Sequence, residues 1–143
     1  MPSDTALKAM NTIHRVILKV SFGKVGWSAS NMPVLELTTT GRKSGQARAV
    51  MLTSPLQEGS TYVIVASRGG DDTNPAWFLN LRDHPAVEVA IQGRPKQAMN
   101  ARVATADERA AMWPRITADH KNYAGYQTKT DREIPLVLLE PSV

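Results

Sequence analysis

The sequence predicts an α+β fold, an antiparallel barrel of about six strands with helices at its ends and between them. Three observations carry that expectation. Apolar residues recur at steps of three and four near the start of the chain and then change to a period of two. Short glycine-bearing turns separate the period-two runs. Helix-start signals stand at two later places, Asn74-Pro75 and Thr105-Ala106-Asp107-Glu108. A length of 143 residues suits one domain around one core.

Residues 5–21 read as a helix, because Leu7, Met10, Ile13, Ile17 and Val20 form one stripe and Asp4 can cap its start. Residues 1–27 are therefore expected as an amphipathic helix packed on the barrel or on a surface. Ser28 to Met32 reads as a loop. Val34 to Thr40 is a β-branched strand, Gly41-Arg42-Lys43-Ser44-Gly45 a turn, and Ala47 to Thr53 its partner. Gln57 to Ser60 turns again before a strand from Thr61 to Ser67. Asn74 as cap and Pro75 at the first helical position predict a short helix over Ala76 to Asp83. Val87, Val89 and Ile91, then Met99, Ala101 and Val103, alternate with polar or small residues as strands with one wet face do. The capping box at Thr105 opens a helix to about His120, which Pro114 should distort. Ile134 to Glu140 reads as a last buried strand.

Composition narrows the function. Hydrophobic residues make up 42% and charged residues 21%, which is globular usage and not that of a disordered chain. The absence of cysteine removes thiol chemistry and disulfides, and it suits a reducing cytoplasm. No apolar run approaches the ~20 residues that span a bilayer, and Met1-Pro2-Ser3-Asp4 lacks a signal-peptide start, so a cytoplasmic protein is expected. His14, His84 and His120 show no ligand spacing, so no metal site is expected. Nucleophile elbow, P-loop and dinucleotide fingerprint are missing. Asp131-Arg132-Glu133 reads as a charged approach to a strand. A chain without its own reactive group binds something or borrows chemistry from a cofactor.

Charge placement points to an anionic partner. Residues 1–50 hold seven Lys and Arg against two carboxylates, while the rest of the chain holds ten against eleven. Thr38 to Gly45 gathers hydroxyls, Arg42, Lys43 and flexible backbone at a strand end, with Arg48 just beyond. Glycines there let backbone N–H groups converge on an anion, and Arg42 adds a fork that fits phosphate or carboxylate. Val65-Ala66-Ser67-Arg68-Gly69-Gly70 is a second such strand end. The helix start that follows, with Trp77 or Phe78 as a wall, would suit a flat heterocycle.

Three ordered stretches carry a resemblance: LELTTTGRKSGQAR, VIVASRGGDDTNPAWFLNLRDHPAVEV and NYAGYQTKTDREIPLVLLEP, together spanning residues 35–141. The chain resembles the deazaflavin-dependent nitroreductase family of actinobacteria, whose members are F420H2-dependent reductases. The resemblance implies a split β-barrel like that of FMN-binding proteins, holding coenzyme F420, a deazaflavin with a phosphate and an oligoglutamate tail. By motif, Arg42, Lys43 and Ser44 would hold the phosphate or tail. Arg48, Ala49, Val50, Met51, Leu52 and Thr53 would run along the cofactor. Val65, Ala66, Ser67 and Arg68 would line the ring, as would Ala76, Trp77, Phe78, Leu79 and Asn80, with Tyr123 closing the pocket. Such enzymes pass hydride to quinones, activated alkenes such as unsaturated lactones, or nitro compounds. Ser67, Tyr123 and Tyr126 are the candidates to hydrogen-bond the acceptor's oxygen as charge develops. Family members often carry an aromatic residue in place of Thr53 and a tyrosine in place of His120, so a more polar and roomier pocket is expected here.

Other readings stay open at this point. An FMN-dependent split-barrel reductase would share the fold but leave part of the basic cluster without a purpose. A non-catalytic deazaflavin carrier would share the site. A nucleic-acid role is not expected, since aromatics are 6% and do not alternate with basic residues on strands. The first helix, bearing Lys8, Arg15, Lys19 and Lys24, would suit peripheral attachment to the inner face of an anionic membrane, or packing within a monomer or homodimer.

Overall fold

A computed structural model describes residues 28–29 and 32–142. The expected first helix, and with it the membrane question, lies outside the described residues. Among the described residues eight strands form one antiparallel sheet: β1 (Ser28–Ala29), β2 (Met32–Thr40), β3 (Ala47–Thr53), β4 (Leu56–Glu58), β5 (Thr61–Val65), β6 (Ala86–Ile91), β7 (Gln97–Val103) and β8 (Leu136–Pro141). Their order is β1-β2-β6-β7-β8-β5-β4, with β3 also paired to β2. The curled sheet is the expected split β-barrel. Two strands exceed the expected six, because β1 and β4 have two and three residues and are too short to show a period.

Helix α1 (Ala76–Asp83) has the expected bounds, and α2 (Ala106–Asp119) opens with the expected capping box. Glu108 N–H donates to Thr105 Oγ1 at 3.2 Å, while Thr105 N–H donates to Glu108 Oε1 at 2.9 Å. Pro114 sits within α2 without ending it. His120 breaks the helix with φ −135° and ψ 82°, and a further helix, α3 (Lys121–Thr128), follows.

The core has two layers because β5 and β8 are buried on both faces. Ile64, Val137 and Leu139 pack with Leu35, Leu37, Val89 and Met99, under Trp77, Phe78 and Leu81 of α1. Val63, Val65, Leu136 and Leu138 pack the other way, against Met112 and Ile116 of α2 and Tyr123 of α3. A strand covered on both faces reads as a continuous apolar run, and Leu136 to Leu139 is such a run.

Two local expectations change at the end of β5. The strand stops at Val65 instead of Ser67, and the chain turns through Arg68, Gly69 and Gly70 with φ of 47°, 64° and 86°. Asn74 does not cap α1: Pro75 occupies the cap position with extended φ and ψ, and no side chain caps it. The Asn74 amide oxygen is instead taken by Arg132.

Candidate cofactor site

The β2–β3 turn is a rigid platform for cations. Seven register pairs run from Val34↔Thr53 to Thr40↔Ala47. Gly41 N–H donates to Gln46 O and Gly45 N–H to Gly41 O, both at 2.8 Å, and Gly45 takes φ +72°. Ser44 Oγ accepts from Gln46 N–H at 3.1 Å. A Cβ on Gly41 would stand 2.7 Å from that oxygen, so glycine is what lets Ser44 brace the turn.

Asn80 of α1 ties this turn to the core. Its amide oxygen accepts from the backbone N–H of Arg42 at 3.1 Å and from Arg42 Nη1 at 3.0 Å. Its Nδ2 donates to Thr39 Oγ1 at 3.2 Å. Asn80 is buried, and its amide oxygen and nitrogen bond to the turn and to β2 beside it. Lys43 and Arg48 are exposed, and among the described residues neither forms an ion pair. Cations held at a fixed turn with no internal carboxylate are placed for an external anion.

The second strand end is built differently. Arg68 is half-buried and pairs with Asp71 at 3.1 Å and with the Thr73 hydroxyl. Asp71 also accepts from Thr73 N–H at 2.9 Å, a bond that, with Arg68 beside it, holds its carboxyl below the usual range. Gly70 lies against α3, where a Cβ would come within 2.7 Å of Tyr126 O and 3.0 Å of Lys129 Cβ. Arg132 closes over the loop, donating to Asp71 O at 2.8 Å, Ser67 O at 2.9 Å, Ala66 O at 3.2 Å and Asn74 Oδ1 at 2.9 Å. Burial lowers the pKa of this guanidinium. Ser67 is 9% exposed, at the boundary between the loop and the core.

Tyr123 joins α3 to the far end of β3. Its ring packs edge-on to His120 and Tyr126, with centroids 6.4 and 6.0 Å away. Its hydroxyl lies 3.4 Å from Thr53 Oγ1 and 3.6 Å from Met32 Sδ. Burial raises the Tyr123 pKa, so the phenol stays protonated at neutral pH.

Several expected residues thus lie along one path. Strand β3 starts at the cationic turn and ends at Tyr123, and five residue steps from Arg48 to Thr53 cover about 17 Å. Among the described residues the strand that β3 pairs with is β2. Ala49, Val50, Leu52 and Thr53 are half-buried along it, while Met51 points inward and is buried. Val65 and Ala66 are buried at the end of β5. Trp77 and Phe78 are core residues with rings edge to face, Leu79 packs beside them, and Ala76 is exposed. An open groove of about 390 Å³ at the same strand end is lined by Thr38, Thr40, Gly45, Ala47, Glu88 and Ala98 among others. It carries a carboxylate and none of the cations, which disfavours a polyanion there.

Neither the placement of Arg132 over residues 66–74 nor the bond of Asn80 to Arg42 has a local signal in the sequence. Between Asp131 and Glu133, Arg132 has the pattern of a solvated charge, and only the fold brings it over residues 66–74. Asn80 three residues after Trp77 gave no sign that its partner lay at Arg42.

The donor set suits a long cofactor with an anionic end and a neutral ring end: unpaired cations at one end of β3, buried hydroxyls and flat side chains at the other. The fold is a split β-barrel, and its relatives make the chain an oxidoreductase. A family model described as F420H(2)-dependent quinone reductase matches residues 11–141, and the chain belongs to that family. The F420H(2)-dependent quinone reductase Rv1261c of Mycobacterium tuberculosis strain H37Rv is 34% identical over 131 residues, covering 89% of this chain and 87% of that one. A solved F420-H2 dependent reductase (FDR-A) is 39% identical with TM-score 0.66, over 76% of this chain and 94% of that one. A solved domain-swapped dimer is 34% identical with TM-score 0.66, over 90% and 96%. Family and relatives are F420H2-dependent, so reduced F420 is the family's coenzyme. Among the described residues no helix is long and apolar enough to cross a membrane.

Proposed function

We propose that this chain reduces quinones with F420H2, holding the cofactor's phosphate and oligoglutamate at the β2–β3 turn and its ring between the 65–68 segment and α3. The observation that carries the reading is the pair Lys43 and Arg48, exposed without ion-pair partners at a turn that Asn80 anchors. F420H2 supplies the hydride when bound. The work of the chain is binding and orientation, which can contribute several kcal/mol when reacting atoms are held at ~3–3.5 Å.

Lys43 and Arg48 bind the tail, and Arg42, already donating to Asn80, keeps further N–H groups for phosphate. Ser67 and Tyr126 face the acceptor's oxygen. Tyr123, protonated and bonded to Thr53, orients the acceptor side and stores a proton at its Oη. The hydroxyl of Thr53 makes this end polar, which favours oxygen-bearing acceptors: quinones first, with unsaturated lactones and nitro compounds as further candidates. The acceptor is thus a small molecule, and a homodimer is the assembly we favour, in line with the domain-swapped relative.

Titration of the pure protein with F420, FMN and single-stranded DNA, followed by menadione under F420H2, tests the reading. F420 is expected to bind tightest and menadione to be reduced. Preference for FMN, or dominant DNA binding, overturns it.

A further inference from the structure

Arg132 makes more hydrogen bonds than any surface role requires. Its three guanidinium nitrogens donate to four acceptors on residues 66–74, three of them backbone carbonyls, and no carboxylate oxygen is among those four. That segment holds three consecutive residues at positive φ, one of them Arg68, a conformation that costs energy for a side chain with a Cβ. Such a loop keeps its shape only where its surroundings fix it. The anchor is itself fixed: Gln127 Nε2 of α3 donates to Arg132 O at 2.7 Å, and Gln127 Oε1 accepts from Ile134 N–H at 2.9 Å and from Arg109 at 3.1 Å.

We propose that Arg132 is a positioning residue that locks the 66–74 loop against α3, setting the distance between the cofactor ring and the acceptor. Resting on the functional reading above, the proposal adds a residue that touches neither cofactor nor acceptor. Ser67 is held through its carbonyl, which leaves its hydroxyl for ligand. Gly70, pressed on Tyr126 O, makes the loop and the tyrosine helix one unit. The Arg132 role therefore concerns the ring end alone; the tail stays with Lys43 and Arg48.

The test uses full-length wild type, Arg132→Gln and Arg132→Lys, and reads hydrogen exchange without cofactor, F420 affinity and menadione kinetics. Exchange over residues 66–74 should quicken about tenfold in Arg132→Gln, with β2 and β7 unchanged. The kcat should fall about tenfold or more with the F420 dissociation constant within about threefold, because the tail still anchors the cofactor. Binding of the tail-less deazaflavin chromophore should suffer more than binding of F420. Arg132→Lys, reaching fewer acceptors, should lie between and serves if Arg132→Gln does not fold. Unchanged exchange in residues 66–74, uniform loosening of the whole chain, or unchanged kcat in a protein that binds F420 overturns the Arg132 proposal alone. A wild type that binds no F420 overturns the functional reading and the ring-positioning role with it.

Discussion

The two ends of the candidate site are held by opposite physics. At the β2–β3 turn the backbone is fixed by Gly41, Ser44 and Asn80 while the cations Lys43 and Arg48 project into water. At the other end Arg132 turns inward onto carbonyls and Arg68 onto Asp71 and Thr73, and exposed Lys129 is the cation that stands over a ring, 5.7 Å from the Tyr126 centroid. Attraction at the first end acts over a Debye length and weakens with salt. Recognition at the second depends more on contact geometry and less on salt. A cofactor with a polyanionic tail and a neutral ring needs both.

The largest break in that contrast should come from Gly70. Gly70→Ala puts a Cβ 2.7 Å from the backbone oxygen of Tyr126 at φ +86°, so backbone must move and strain adds to the clash. A loss of about 3 kcal/mol is expected, read as a lower urea midpoint, together with weakened menadione turnover. Gly45→Ala is the paired control. At φ +72° with nothing within 4 Å, it carries strain alone and should cost about 1 kcal/mol. Equal costs at the two positions would refute the close packing of loop on α3.

Asn80→Ala sharpens the other end. It removes the donor to the buried Thr39 hydroxyl, which keeps its bond to Arg48 O, and the acceptor of the Arg42 amide, for about 1–2 kcal/mol of stability, and it frees the turn that presents Lys43 and Arg48. F420 affinity should fall several-fold although the removed side chain is buried. Unchanged affinity would mean that the turn holds its shape without the clip. A smaller effect is expected from Lys43→Ala, about 1 kcal/mol of F420 binding at low ionic strength, shrinking toward zero near 1 M salt. A salt-independent loss would place Lys43 in a buried contact instead.

These two ends also differ in how far the sequence exposed them. The turn was legible because Gly41-Arg42-Lys43-Ser44-Gly45 is local: glycines, hydroxyl and cations sit within five residues, and β2 and β3 flank them with a clear period of two. The bounds of β3 and α1 were readable for the same reason. The ring end was only half readable. Its glycine pair and tyrosines stand out, but what fixes them comes from far along the chain, with Arg132 contacting Ala66 across 66 residues and Thr53 meeting Tyr123 across 70. Strand β5 ends two residues before the expected Ser67: Ala66 and Ser67 continue its pattern, while the positive φ of Arg68 just beyond has no local signature. Trp77 and Phe78 are apolar on a short helix, which suits a ring wall and a core equally, and the fold buries them.

Away from both ends, acid should act on a third region as well. Arg102 of β7 forks onto Glu108 at 2.7 and 2.8 Å and onto Glu140 at 2.8 Å, joining α2, β7 and β8. Glu108 also accepts from Thr105 N–H in the capping box. The Arg102 guanidinium, followed by the backbone bond at Thr105, holds its carboxyl at about 2 against an ordinary 4.5, while the two carboxylates push the Arg102 pKa up. A carboxyl whose pKa is depressed by folding contributes stability above its unfolded pKa and loses it as pH falls toward the folded one. The contribution should therefore be whole at neutral pH and fade between about 4.5 and about 2. Glu108→Gln should lower the melting temperature slightly at pH 7 and flatten its decline across that window, while F420 affinity at pH 7 stays as in the wild type. The two cofactor ends would then be shown to keep their geometry independently of the α2 cap, and a matching fall in F420 affinity would show instead that the cap supports the ring end through α2 and α3.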